Sequence, residues 1–114
     1  MNLRLAAATL ALAAMPALAH HGWSEYDATQ TLTLTGTIEL SGYEHPHGFV
    51  KLSLGGRTWT AVLAPPSRLE NRGLPRAELV PGKTVTVVGY PNRNKPDEMR
   101  AERITVDGRT VELR

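Results

Sequence analysis

Short runs that alternate apolar and polar residues, cut at close intervals by glycine and proline, constrain this chain more than any other feature. Over residues 31–40, Leu32, Leu34, Ile38 and Leu40 fall on one side, and Thr31, Thr33, Thr35, Thr37 and Glu39 on the other. A period of two in a threonine-rich run specifies a half-buried strand. Gly36 interrupts the apolar side and predicts a bend or bulge there, of the kind that lets a strand curl around a barrel. After a turn near Ser41 and Gly42, Val50, Leu52 and Leu54 alternate with Lys51 and Ser53 as a second strand. Gly55 and Gly56 supply the positive φ of a two-residue hairpin, and residues 57–63 return as a third strand with Trp59, Ala61 and Leu63 on one face.

Pro65 and Pro66 then stop the strand pattern. Ser67 with Glu70 three residues later reads as a capping box, and Gly73 sits where a short helix over 68–72 would end. Pro81 and Gly82 turn the chain into a fourth strand over 84–90, with Val85 and Val87 on one face and Val88 and Tyr90 on the other. A polar loop over 92–97 leads to a fifth strand over 99–106, in which Ile104 and Val106 face inward. Asp107 and Gly108 predict a type I′ hairpin, and residues 110–113 pair back as a last strand. Three strands, a short helix and two further strands suit an all-β fold: a small OB-like Greek-key barrel whose one helix lies between strands three and four.

The N-terminus follows other rules. Arg4 precedes an apolar run over 5–15, Pro16 breaks it, and Ala17, Leu18 and Ala19 close it in the layout of a cleavable export signal. The run is too short to span a hydrocarbon core of ~30 Å. The expected organisation is a signal helix over 1–19, a mature N-terminal arm over 20–30 and the barrel over 31–114, in a periplasmic or secreted protein with no membrane span after cleavage. One compact core must then hold without disulfides, because the chain has no cysteine. Thiol redox chemistry is excluded on the same ground. The formal net charge of +2 decides little, but it is unevenly spread: Glu25, Asp27, Glu39 and Glu44 precede Lys51, and every Lys and Arg of the expected mature chain lies from Lys51 onward.

The chain's 4 histidines form two close pairs, His20 with His21 and His45 with His47. Cleavage after Ala19 would give His20 a free α-amine, whose ordinary pKa of about 8 lets a metal displace its proton near neutrality. His45 and His47 would point the same way if the backbone between them were extended, with Pro46 restricting it. An amine with two or three imidazoles suits Cu(II), with Ni(II) or Zn(II) behind it, and disfavours Mg²⁺ or Ca²⁺. His20 and His47 lead this set, and Asp27 and Glu25 are candidates to orient an imidazole through its second nitrogen. The competing reading is a solvated His-His start and a histidine that only bonds backbone in a turn. Trp23, Tyr26 and Tyr43 either stack on a ligand at the barrel mouth or pin the terminus to the core.

The segments HHGWSEYD, EHPHG, LAPPSRL with NRGL, LVPGKTVTVVGYP and EMRAERITVDGRTVELR together resemble a family of small exported bacterial proteins known as domain-of-unknown-function family 6152. The resemblance covers essentially all of the expected mature chain. It implies a barrel of the same class, a His-His-Gly-Trp start matched by His20, His21, Gly22 and Trp23, and an Asn-Pro-His turn matched at Pro46 and His47. The chain departs from that pattern at His45, where the family usually has asparagine. The resemblance implies no activity.

Three functions remain in competition. The first is an exported protein that carries, buffers or delivers a metal ion. The second is a binding module that takes an anionic glycan, a peptide or an envelope protein, with Arg57, Arg68, Arg72, Arg100 and Arg103 as contacts. Nucleic acid is not expected outside the cytoplasm, given the small basic excess. Catalysis is the weakest: Ser67 has no histidine near it in sequence, and no carboxylate pair with opposed surroundings stands out.

Overall fold

The computed structural model describes residues 22–114; the expected signal segment, His20 and His21 lie outside the described residues. The threonine-rich alternation forms β1, Leu32–Tyr43. Its first half pairs antiparallel with β4, Thr84–Pro91, and its second half with β2, Gly48–Leu54. A strand that serves two neighbours in succession must bend, and β1 does so at Glu39, where the register slips between Ile38 and Leu40. Gly36, the expected site of the irregularity, keeps regular register opposite Val85. The extra residue reverses the facing of everything after it. Leu40, expected inward, is 51 % exposed, whereas Tyr43 comes round into the core at 8 %. The turn expected at Ser41 and Gly42 is also displaced, since β1 runs on through Gly42, across which the Phe49 ring packs.

The hairpin at Gly55 and Gly56 has positive φ at both positions, as does that at Asp107 and Gly108. β3, Arg57–Val62, pairs antiparallel with β2 and then parallel with β5, Glu98–Val106, Thr60 opposite Glu98 and Val62 opposite Arg100. That last pairing closes a five-strand barrel in the order β3-β2-β1-β4-β5, and β6, Arg109–Glu112, extends it beside β5. Strand order and helix position are those expected of an OB-like barrel. The interior is filled by alternate residues, among them Val50, Leu52, Ala61, Leu63, Val85, Val87, Met99, Ile104 and Val106.

The helix α1, Pro66–Asn71, follows β3 and buries Leu69 in the core. It starts differently from expectation: Pro65 is the N-cap, Pro66 occupies the first turn, and no side chain caps the helix, so the Ser67–Glu70 capping box does not form. Proline at the first helical position lacks an amide hydrogen that would have had no partner there in any case. The end is as expected, with Gly73 donating to Glu70 O at 3.0 Å and Leu74 to Leu69 O at 2.8 Å. Among the described residues no helix is long and apolar enough to cross a membrane.

Candidate functional site

Three segments far apart in sequence meet at one end of the barrel. The first is the arm. Trp23–Glu25 forms a single 3-10 turn, and Tyr26 makes an isolated bridge to Asn92. Asp27 N–H donates to Pro91 O at 2.9 Å, Arg93 N–H to Glu25 O at 2.9 Å, and Arg93 Nε to Ser24 O at 3.1 Å. The Tyr26 ring is buried, and its hydroxyl donates to Glu98 Oε2 at 2.7 Å. Burial first, and the Glu98 carboxylate second, push the phenol up to about 12. The Trp23 indole carries the Arg100 and Arg114 guanidinium carbons at 4.5 and 4.3 Å from its ring centroid and meets the Tyr90 ring edge-on at 6.1 Å. Trp23 and Tyr26 thus pin the arm to β4 and β5. Tyr43 does a separate job, donating from its hydroxyl to Leu74 O at 2.6 Å and so tying β1 to the chain after α1.

The second segment is the turn over 44–47. Its backbone is bent, with a cis His45–Pro46 bond, so the extended run on which a common direction of the two histidines would depend is not formed. His45 is exposed and His47 half-buried. His47 lines a cavity of about 200 Å³ together with Glu25 and Tyr26 from the arm, and with Glu98 and Arg100 from β5. The third segment, the loop over 92–97, adds Lys95 to that wall. His45 is not part of it. With Tyr43, Glu44, Pro46, Phe49 and Arg76 it borders a second, more open hollow of about 460 Å³, which His47 also reaches. The register of the barrel explains the meeting: His47 precedes Gly48 at the start of β2, Phe49 lies opposite Val62, and Val62 lies opposite Arg100.

Of the two acids expected to orient an imidazole, Glu25 lines the cavity with His47 and Asp27 does not. Asp27 accepts from the Thr29 hydroxyl and amide and from Gln30 Nε2, and these bonds, the Thr29 hydroxyl first, bring its carboxyl down to about 2. Among the described residues, no three histidine or acidic side chains converge as a metal site. Four of the five arginines expected as contacts already have partners. Arg57 pairs with Asp97, Arg103 with Glu112 at 2.9 Å, Arg68 donates to Leu113 O at 3.3 Å, and Arg72 donates to Glu112 O and Arg114 O. Arg100 is 6 % exposed, and burial above all, with Arg68 and Arg114 nearby, lowers its proton affinity. Sequence reasoning did not single out Lys95 or Glu98. The one signal for Lys95 was its place in the loop between strands four and five, which in OB-type barrels borders the ligand face.

A family model for a family of unknown function, DUF6152, matches residues 7–99. No curated protein matches the chain. Among solved structures, the crystal structure of TiaS in complex with an isoleucine tRNA and ATP superposes with a TM-score of 0.53 at 21 % identity, covering 78 % of this chain and 20 % of that one. Apo TiaS, a tRNA agmatidine synthetase, gives 0.51 at 20 % identity, with 70 % of this chain and 18 % of that one covered. The chain spans about a fifth of the length of TiaS, and at this identity the likeness is one of fold.

Proposed function

The chain belongs to the DUF6152 family of unknown function, and from that premise we propose that it is an exported periplasmic β-barrel that binds a transition-metal ion, Cu(II) foremost. The ligands are the α-amine and imidazole of a mature N-terminal His20 and the ring of His47, with His21 and His45 as subsidiary donors. Export is supported by the charged, apolar and small-residue layout that ends at Ala19.

One observation carries the reading: the arm that continues to His20 is fixed along the wall of the cavity His47 lines. Trp23 rests on Arg100, a residue of that wall, and stands three positions after His20. Three residues reach at most about 11 Å when fully extended. That short tether to the wall supports a meeting of a new terminus at His20 with His47. A half-buried imidazole and a tethered amine lose less freedom on meeting an ion than two mobile groups would. Nitrogen donors with the Glu25 carboxylate beside them match the preferences of Cu(II), then of Ni(II) or Zn(II). The electrostatic alternative is an anionic glycan or envelope partner held by Arg57, Arg68, Arg72, Arg100 and Arg103; it has less support, because Arg57, Arg68, Arg72 and Arg103 already have carboxylate or carbonyl partners.

The test is Cu(II) titration of protein matured in the periplasm, against one variant with an extra N-terminal alanine and against His47→Ala. Each change should weaken binding at least about tenfold, or 1.4 kcal/mol. Equal affinity in all three, or a mature product found by mass spectrometry to begin elsewhere than His20, overturns the proposal.

A further inference from the structure

The cavity beside His47 has two cationic side chains in its wall that nitrogen ligation of a metal does not use. Arg100 reaches it from β5, almost wholly buried, with Arg68 and Arg114 close behind. Lys95 faces it from the loop over 92–97, whose backbone is fixed by Asn92: its side-chain oxygen accepts the amides of Asn94 and Lys95, both at 2.8 Å. Two carboxylates also line the wall. Glu98 is committed, accepting from the Tyr26 hydroxyl at 2.7 Å and from Asn92 Nδ2 at 3.2 Å, which leaves Glu25 as the acid on the opposing side. Two cationic side chains, Lys95 and Arg100, thus face the hollow against two carboxylates, of which Glu98 is engaged by Tyr26 and Asn92.

We propose that this cavity is a site for a small oxyanion, a carboxylate or a phosphate, held between the Lys95 ammonium and the Arg100 guanidinium beside the His47 ring. The planar guanidinium fork matches two oxygens of such a group, and a desolvated guanidinium attracts them more strongly than a hydrated one. The space fits: about 200 Å³ is the volume of six or seven waters at roughly 30 Å³ each, room for an anion of a few heavy atoms.

The test uses the metal-free mature chain, with inorganic phosphate and sodium acetate titrated separately at constant ionic strength in chloride and followed by NMR shifts of Lys95, Arg100 and the His47 ring. Saturable shifts confined to this wall are expected, and whichever anion saturates at lower concentration identifies the class. Lys95→Glu should weaken binding at least about tenfold and Lys95→Met less, since the exposed loop tolerates both. A linear response to both anions, or unchanged affinity in Lys95→Glu and Lys95→Met, overturns the inference. Copper uptake without anion binding refutes this inference and leaves the metal reading standing; anion binding without copper uptake does the reverse.

Discussion

Replacing Trp23 by alanine tests whether the arm is a positioning device. The indole meets the Arg100 and Arg114 guanidiniums at 4.5 and 4.3 Å and the Tyr90 ring at 6.1 Å. A cation over an aromatic face contributes about 0.5–1 kcal/mol when exposed and about 2 when desolvated, and an edge-to-face pair about 0.5–1.5. Trp23 is half-buried, so Trp23→Ala should cost about 2–3 kcal/mol of stability. For a domain of this size that corresponds to a Tm lower by about 8–20 °C. Tyr26 still anchors the chain, but the tether to His20 lengthens from three residues to six. Ordering Trp23–Glu25 anew on binding costs about 1 kcal/mol per residue at the low end. Part of that is offset by the bonds from Arg93 to Ser24 and Glu25, which survive the substitution. Cu(II) affinity should therefore fall roughly ten- to hundredfold. Thermal denaturation of the metal-free protein reads the first effect and competitive copper titration the second, with Trp23→Phe recovering part of both. A variant that melts as expected yet binds copper as tightly as the parent would show that the arm does not hold the terminus in place.

The bulge at Glu39 predicts opposite outcomes for two residues that the simple alternation puts on one face. Leu40→Thr should change unfolding free energy by no more than about 0.5 kcal/mol, whereas Ile38→Thr, at 1 % exposure, should lose roughly 2–4 kcal/mol in a urea melt. Comparable losses at both would place the irregularity elsewhere. Tyr26 supplies a pH dependence. Its folded pKa of about 12 lies above the ordinary value of 10.0, so the folded state keeps a proton that the unfolded chain releases. The associated stability is fully present below pH 10.0 and declines as pH rises towards about 12. Burial raises Tyr43 as well, so ultraviolet titration should show late phenolates from both, and Tyr26→Phe should remove one of them together with that decline; a late phase left unchanged by Tyr26→Phe refutes the assignment.

Strand identity was legible in the sequence because period-two patterning and turn chemistry are local. Val50 and Leu52, Ala61 and Leu63, and Val85 and Val87 all face the core as their alternation requires, and both glycine hairpins form. What local pattern could not locate was the bulge. A bulge is set by the need of β1 to serve β4 and then β2, a property of barrel closure, and glycine drew the expectation to position 36 although the slip occurs at Glu39. The capping box misled for a similar reason. Ser67 and Glu70 have the right spacing, but Pro65 and Pro66 already fix the backbone ahead of them, so the helix begins too early for Ser67 to cap it.

The site was legible only in part, and the missing part is long-range. His47 drew attention through its pairing with His45, yet the two differ sharply in environment once the turn bends, one in solvent and one against the arm. Lys95, a lysine in a polar loop, carried no such mark, and Arg100, between Met99 and Ala101 in a strand, stood out only as one of five arginines offered to an anionic partner. Their place beside His47 appears only when β3 and β5 pair in parallel, because Val62 then stands beside Arg100 and, on its other side, opposite Phe49 at the root of the histidine turn. The same pairing sets Thr60 beside Glu98, the acid that receives the Tyr26 hydroxyl and holds the arm. Closing the barrel and assembling the cavity are thus one event. A destabilising change in the β3–β5 register would dismantle the wall around His47 without touching any residue that faces it.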